Sequence, residues 1–520
     1  MSGKKFDAIV ILNFGSQTTQ LIARKRREKK IYAEILPQDT PAEEIKNLNP
    51  KGIIFSGGPA SLYEEGSPRP DPKVYELGLP ILGICYGLQL VTDRFGGEVV
   101  KGHKNKEYGE AQVTFLKKIR PRLLEGIKRD AFTVWMSHGD EVKKMPEGFA
   151  ILGATKDSPF AIIGNEKQRI FGVQFHPEVT HTSYGAKILE NFATLICNAE
   201  RDWQSEDIIE SMVRDVRRQV GSRKILHAIS GGVDSTVMAA ILHKAIGDKL
   251  RCVMVDTGLL RKGEVESVRK RFKKYLKAKV EIVDAQERFL NVLRGVCDGS
   301  ERRRIIGREY IQIFNGLLGK DDLLSQGTLY PDVIESAVDI NAPAHTIKTH
   351  HNRAPEVIEL MKEGRVIEIF KDLFKDEVRS IGEELGLPKE IVWRQPFPGP
   401  GLAIRILGEI TTERLDILRE ADQIVIEELK KADLYYKKIS QSVVALDDHQ
   451  VTCVKGDARA SGYLIFIRNV VTDDFMTASV FNLSSHLRKK IATRILNEVK
   501  GVGRVLFDES TKPPATICYL

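Results

Sequence analysis

The chain has 520 residues and a formal net charge of +8, with 42% hydrophobic and 29% charged residues. That balance describes a globular protein of roughly three domains; its slight, interspersed basicity suits anionic small molecules and excludes the clustered basic face that nucleic acid needs. No apolar run spans a bilayer, the start is read as carrying no signal peptide, and six scattered cysteines without a Cys-x-x-Cys pair argue for a reducing, cytoplasmic setting and against zinc or a disulfide framework.

From Asp7 to about Cys197, apolar runs alternate with helical patterns, as in an α/β domain. The runs include Ala8–Phe14, Gly52–Phe55, Ile81–Ile84 and Ile170–Phe175, and three of them end in motifs that carry chemistry. Ser56-Gly57-Gly58-Pro59 offers a flexible backbone N–H to an oxyanion. Leu82-Gly83-Ile84-Cys85-Tyr86-Gly87 sets a cysteine between glycines, after a strand and before a helix. That is an elbow, where a tight turn exposes the nucleophile and the helix N-terminus favours its thiolate. In Gln174-Phe175-His176-Pro177-Glu178, the imidazole can take and return a proton while Glu178 orients it. A second histidine, in Ser137-His138-Gly139-Asp140, competes for the role of base, and residue types alone do not choose between them; the adjacent Pro-Glu favours His176.

Together with Asn13-Phe14-Gly15-Ser16-Gln17, these motifs resemble the class I glutamine amidotransferases over about the first 197 residues. The resemblance implies that Cys85 attacks the carboxamide of glutamine, that His176 protonates the leaving ammonia, and that Glu178 supports His176. It also implies an oxyanion hole from backbone groups of Gly58 and Tyr86, Gln89 in the glutamine pocket, and a structural or interface role for His138.

A polar, helix-like stretch from Asn198 to Val220 leads into a second α/β pattern, with strands expected at Ile225–Ile229, Arg251–Val255, Val280–Val283 and Leu323–Ser325. Between the first of these and a helix whose N-terminus is expected at Ser235 lies Ser230-Gly231-Gly232-Val233-Asp234-Ser235. Strand, small-residue loop and helix present backbone N–H groups and a helix dipole to an anion, and the glycines let the backbone approach it. The loop lacks the Gly-Lys-Ser/Thr ending of the common P-loop. A pyrophosphate fits such a nest, and Asp234 is placed to help hold Mg²⁺ between phosphate oxygens. Beyond it, Gln395-Pro396-Phe397-Pro398-Gly399-Pro400-Gly401 cannot be helix or central strand and marks a boundary. A long helix (Thr412 to Leu429), strands at Val443–Leu446 and Tyr463–Ile467, and a helix at Ser484–Val499 follow.

The loop resembles the signature of the ATP pyrophosphatase family, which implies that Ser230 to Ser235 and Thr236 grip the β- and γ-phosphates of ATP, with Asp256 in Val255-Asp256-Thr257-Gly258 near the nucleotide. The Ser325–Ser336 run, Ile347-Lys348-Thr349-His350-His351-Asn352, the Leu373–Arg379 run and the Thr511–Ile517 tail resemble one branch, the glutamine-hydrolysing GMP synthetases. That likeness implies a lid carrying Lys348 to the nucleotide, and Arg303, Gln441 and Lys512 at the phosphate and base of xanthosine monophosphate (XMP). It further implies Mg²⁺ with ATP, an adenylated XMP intermediate, channelled ammonia and a homodimer formed through the C-terminal domain, with no nucleic acid or membrane partner. Two α/β domains with mostly parallel sheets, residues 1–197 and 198–395, are thus expected before a smaller α+β dimerisation domain at 396–520. The chain departs from that family's pattern at Cys518, where a glutamate is usual, at Gln395, where a histidine is usual, at Arg353-Ala354 and at Ile369. The rival readings are a ligase of the same chemistry with another carbonyl acceptor, and a binding protein that kept the fold.

Overall fold

The computed structural model describes residues 7–16, 18–101, 107–116, 121–179, 181–203, 205–329, 355–371, 373–455, 457–472, 478–512 and 514–520. The chain divides into two compact units, 2–208 and 209–520.

The strands of the first unit are β1 (Ala8–Asn13), β2 (Tyr32–Pro37), β3 (Gly52–Phe55), β4 (Ile81–Ile84), β5 (Glu98–Lys101), β6 (Glu107–Phe115), β7 (Ala131–His138), β8 (Asp140–Lys144), β9 (Ala150–Ala154), β10 (Ile162–Asn165) and β11 (Ile170–Val173). Nine of them form one sheet in the order β2-β1-β3-β4-β11-β10-β9-β6-β7, and β5 pairs with β8. The half from β2 to β11 is parallel. Its runs are apolar on both faces because helices cover both: β3, β4 and β11 are buried throughout. Crossover connections carry successive parallel strands back to the same edge, so the segments after β1, β3, β4 and β11 emerge side by side. At such an edge α/β folds place their chemistry.

In the second unit, β12 (Ile225–Ala228), β13 (Leu250–Asp256), β14 (Val280–Asp284), β15 (Leu323–Ser325) and β16 (Val366–Ile367) form a wholly parallel sheet ordered β14-β13-β12-β15-β16. A second, mixed sheet contains β17 (Ile406–Leu407), β18 (Gln441–Lys455), β19 (Ala458–Val471), β20 (Ser479–Val480) and β21 (Val502–Phe507). The runs expected at Val443–Leu446 and Tyr463–Ile467 are buried stretches of one much longer hairpin, β18–β19. Its outer half is polar and continues through backbone pairing, which apolar patterning does not report. Residues on the two sides of the Pro-rich turn share one core: Val255, Leu259, Phe289 and Ile306 join Leu402, Leu418, Ile465 and Val502. Arg302, fully buried, clamps this core by donating to the carbonyls of Val296 (2.8 Å), Ala403 (2.7 Å), Ile406 (2.6 Å) and Gly408. A guanidinium with four carbonyl acceptors satisfies in the interior what water would otherwise satisfy.

Candidate functional site

Cys85 sits between β4 and the helix Tyr86–Arg94 with φ +51° and ψ −104°, a conformation that a side-chain-bearing residue adopts only under constraint. The flanking glycines make the turn possible. A Cβ on Gly83 would lie 2.4 Å from the Gly87 carbonyl oxygen, and one on Gly87 would lie 2.4 Å from the Phe55 carbonyl oxygen. The turn is anchored by the Cys85 N–H, which donates to the Val173 carbonyl on β11 at 2.8 Å.

His176 follows that same strand. Its backbone N–H donates to the Trp135 carbonyl (3.0 Å), its carbonyl accepts from the Thr182 hydroxyl (2.6 Å), and its Nδ1 donates to Glu178 Oε1 (2.8 Å). Burial works against the imidazolium, but the Glu178 carboxylate, the hydrogen bond with Cys85 and the charge of that thiolate prevail and lift the His176 pKa well above its ordinary value. The structure therefore brings Cys85, His176 and Glu178 together. His138 is committed elsewhere: its Nδ1 donates to the Asp140 carbonyl (3.0 Å) and its Nε2 faces Glu107 at 3.5 Å.

The other residues expected here surround this group. The loop after β3 is fixed by Ser56, whose hydroxyl accepts from the Phe14 N–H (2.9 Å) and donates to the Gly57 carbonyl (2.8 Å). Gly58 packs so closely on Phe14 that a Cβ would fall 2.4 Å from its carbonyl oxygen. Tyr86 opens the helix, so its N–H has no carbonyl within the helix to bond. Gln89 is buried and donates to the Asp140 carbonyl at 3.1 Å, the acceptor that His138 also uses. Three contacts carry no sequence signal beyond proximity to a motif. The Gln174 amide lies 3.9 Å from Cys85 Sγ, Thr18 Oγ1 donates to Glu178 Oε1 at 2.6 Å, and a Cβ on Gly57 would lie 2.9 Å from His176 Cε1.

In the second unit the helix after β12 runs Val233–Ile246, so it starts at Val233 and not at Ser235 as its sequence suggests. Extended Gly232 is its N-cap and takes the Thr236 hydroxyl on its carbonyl (2.8 Å), which brings Val233, Asp234 and Ser235 into the first turn. Ser230 Oγ accepts from the Gly232 N–H (3.3 Å) and lies 3.1 Å from Ser235 Oγ, which in turn accepts from the Ser230 N–H (3.3 Å). Gly231 has φ +75°, and a Cβ there would meet Glu264 Oε1 at 2.5 Å. That carboxylate is held by Arg394 (2.5 and 2.6 Å) and Arg271 (3.2 Å), while Arg394 also donates to the Gly231 carbonyl (3.0 Å). Burial would raise the Glu264 pKa, but Arg394, Arg271 and Arg261 hold it below the usual carboxylate range.

Under the loop, His227 is fully buried. Its Nε2 donates to the Ser235 carbonyl (2.8 Å), so its Nδ1, 2.6 Å from Ser325 Oγ, accepts from that hydroxyl in the neutral ring. Burial keeps it neutral, lowering its pKa to about 4 against a small opposing effect of the Ser235 bond. Asp256, on the neighbouring β13, accepts from the Gly258 N–H (3.0 Å) and the Gln286 amide (3.2 Å). It lines a cleft of about 410 Å³ with Leu260, Lys262, Glu264, Gln286 and Arg419, within the range of small-molecule sites. Asp234 Oδ2 is 3.1 Å from Lys375 Nζ, and its Oδ1 is buried with no hydrogen-bond partner among the described residues. Lys348, and with it the Ile347–Asn352 segment, lies outside the described residues.

The three residues expected at the acceptor lie around the chain terminus. Arg303, exposed next to buried Arg302, donates to the Leu520 carbonyl (2.6 Å). Gln441 opens β18 and donates to the Pro396 carbonyl (3.4 Å), and Lys512 exchanges backbone hydrogen bonds with Ala478 (2.9 and 3.0 Å). Ala478 packs with Val443, Val470 and Ile517, against which Cys518 also lies. Gln395 is a buried anchor: its amide donates to the Tyr435 and Ile439 carbonyls (3.0 Å each) and its oxygen accepts from the Ser442 N–H (2.8 Å).

Comparison with known proteins adds a family context. Residues 10–196 match the family model of the class-I glutamine amidotransferases, and residues 427–519 match that of the GMP synthase C-terminal domain. A relative from Carboxydothermus hydrogenoformans named GMP synthase [glutamine-hydrolyzing] is 49% identical over 514 residues, covering 98% of this chain and 99% of the relative. Relatives of the same name from Aquifex aeolicus (49% over 514 residues) and Nitratiruptor sp. (50% over 515 residues) each cover 98% of both chains. Among solved structures, a glutamine amidotransferase from Thermotoga maritima is 17% identical, with a TM-score of 0.32, over 38% of this chain and 100% of its own.

Proposed function

The chain belongs to the glutamine-hydrolysing GMP synthases, and on that premise we propose how its own residues divide the reaction. Such an enzyme converts XMP, ATP, glutamine and water into GMP, AMP, pyrophosphate and glutamate. The two halves of the work suit two separate centres, because ammonia is scarce at neutral pH and the XMP C2 oxygen leaves only after adenylation.

In the first unit, the Cys85 thiolate attacks the glutamine carboxamide carbon. The developing oxyanion is met by backbone N–H groups of Gly58 and Tyr86, and Gln89 shapes the pocket. As the C–N bond breaks, His176 gives its proton to the departing ammonia; it then takes one from the water that cleaves the thioester, while Glu178 holds the imidazole in place. The observation that carries this assignment is the strained Cys85 elbow facing the buried His176–Glu178 pair.

In the second unit, the loop from Ser230 to Thr236 grips the β- and γ-phosphates through its N–H groups and the helix dipole, with Asp256 on the nucleotide side and Lys348 as a further cation. Asp234 fits a divalent cation, since its Oδ1 is a buried oxygen without a hydrogen-bond partner among the described residues. Bound Mg²⁺ would neutralise charge on the pyrophosphate leaving group. Lys375, 3.1 Å from Asp234, brings a second positive charge to the same place. The XMP oxygen attacks the α-phosphorus, pyrophosphate departs, and ammonia passed on from the first unit displaces AMP. Arg303 and Lys512 suit the XMP phosphate, and Gln441 its base.

A homodimer is supported by the outer half of the β18–β19 hairpin. There Gln450–Lys455 pair, among the described residues, only with their own partner strand, and Val454 is 72% exposed. A bare two-stranded ribbon is marginal in water and gains by packing on a second copy. A cytoplasmic setting is supported by six free thiols, and no helix among the described residues is long and apolar enough to cross a membrane.

The decisive experiment measures GMP formation from XMP and ATP with either glutamine or ammonium. Cys85→Ala is expected to abolish the glutamine-driven reaction and keep the ammonium-driven one. Glutamine-driven synthesis by that variant, or AMP formation with another acceptor and none with XMP, would overturn the reading.

A further inference from the structure

We propose that Thr18 is a positioning residue for the glutaminase centre, acting through Glu178; the inference rests on the roles assigned above to Cys85, His176 and Glu178. Thr18 occupies the N-cap of the helix Thr19–Arg27, where a threonine hydroxyl ordinarily bonds a free N–H of the first turn. Here it makes no such cap. Its hydroxyl is turned across 160 residues of sequence to Glu178 Oε1, at 2.6 Å.

The direction of every proton in this group is fixed by what the partners can do. A carboxylate only accepts, so the single Thr18 proton is spent on Glu178. Ser16 Oγ, 2.9 Å from Thr18 Oγ1, must then donate to it, and Ser16 Oγ itself accepts from the Thr18 N–H at 3.2 Å. Two donors, Thr18 Oγ1 and His176 Nδ1, thus converge on one oxygen of Glu178. The other oxygen, Oε2, is buried with no hydrogen-bond partner among the described residues. With Thr18 in place, two bonds from different directions fix the carboxylate plane and hence the His176 ring. Without it, a single bond remains, and rotation about the last side-chain torsion of Glu178 costs little. A polarised chain of hydroxyls also strengthens the bond at its end.

A residue that merely stabilises the fold would change melting and leave catalysis alone. The test is therefore made on the full chain with Thr18→Val, which keeps shape and loses the hydroxyl, and Thr18→Ser, which keeps it. For Thr18→Val, kcat for glutamine hydrolysis is expected to fall about tenfold with KM for glutamine within about twofold of wild type. Alkylation of Cys85 by iodoacetamide at fixed pH should slow by a similar factor. Thr18→Ser should restore both to within about twofold, and ammonium-driven GMP formation should report an intact synthetase in each variant. Should Thr18→Val melt early, Thr18→Ala is read in its place. Wild-type kcat and alkylation in the hydroxyl-free variant, or a Thr18→Ser protein as impaired as Thr18→Val, would overturn the inference. Glutamine-driven synthesis surviving Cys85→Ala would instead overturn the reading on which it rests, so the two failures are distinguishable.

Discussion

Gly57→Ala adds a single carbon to the loop after β3, and the structure says where that carbon goes. It would sit 2.9 Å from His176 Cε1 and 3.6 Å from Cys85 Cβ. The second distance is ordinary contact, but the first is at least about 0.5 Å too short for two carbons. The ring is poorly able to yield, because its Nδ1 is bonded to Glu178 and its backbone to Trp135 and Thr182. Gly57 is not among the residues with positive φ, so alanine meets no backbone penalty and the contact alone is tested. A misplacement of about 1 Å costs on the order of 10²-fold in rate, so a shift of half that or more predicts a loss of about 10- to 100-fold in glutamine hydrolysis. Overpacking should cost about 1–3 kcal/mol of first-unit stability. Glutamate release measures the first effect, thermal melting reads the second, and ammonium-driven GMP formation controls for the second unit. Wild-type glutamate release by the variant would refute the reasoning, since it would mean that His176 has slack where the structure gives it none.

The buried His227 makes the second unit sensitive to acid. Burial lowers its pKa from 6.5 to about 4, so below pH 6.5 the unfolded chain binds a proton that the fold refuses. The stability it contributes is complete above that point and declines by ~1.4 kcal/mol per pH unit as pH falls, about 3 kcal/mol in all. His227→Gln, which keeps a donor and an acceptor, should show a correspondingly flatter pH dependence in urea unfolding followed by Trp393 fluorescence; equal slopes would contradict the account. Asp234→Asn removes the charge that a cation would share and leaves Lys375 unpaired. It should raise the Mg²⁺ needed for half-maximal ammonium-driven synthesis by about tenfold without altering glutamine hydrolysis, and an unchanged Mg²⁺ titration would place the cation elsewhere.

The parts of the site that were legible in sequence are contiguous. Cys85 between Gly83 and Gly87, His176 with Glu178 two residues on, and the Ser230–Ser235 loop each sit within one turn at a strand end, where local geometry and chemistry are read together. What was not legible joins distant residues. The Thr18–Glu178, His227–Ser325 and Glu264–Arg394 contacts depend on which strands lie side by side, and a sequence does not announce that order. Arg302, Arg303 and Arg304 are adjacent and chemically alike in sequence, yet the first is buried, the second holds the chain terminus and the third pairs with Glu301. Gln395, read as a departure from the family's usual histidine, bonds the carbonyls of Tyr435 and Ile439 and the N–H of Ser442. Its neighbours, 40 residues or more away in sequence, decide that.

The Arg302 clamp changes what a melting curve of this enzyme can report. Its guanidinium ties the helix Gly299–Leu317 to the Ala403–Gly408 segment, inside a core to which both sheets of the second unit contribute. Opening either sheet alone would strand a buried cation and bare an apolar face, so the two melt as one cooperative body. A nucleotide at the Ser230 loop would therefore protect the buried part of the hairpin from unfolding as firmly as its own strand, through mass action and with no direct contact. Hydrogen exchange in the buried stretches Val443–Leu446 and Tyr463–Ile467 would then be a remote gauge of occupancy at the Ser230 loop.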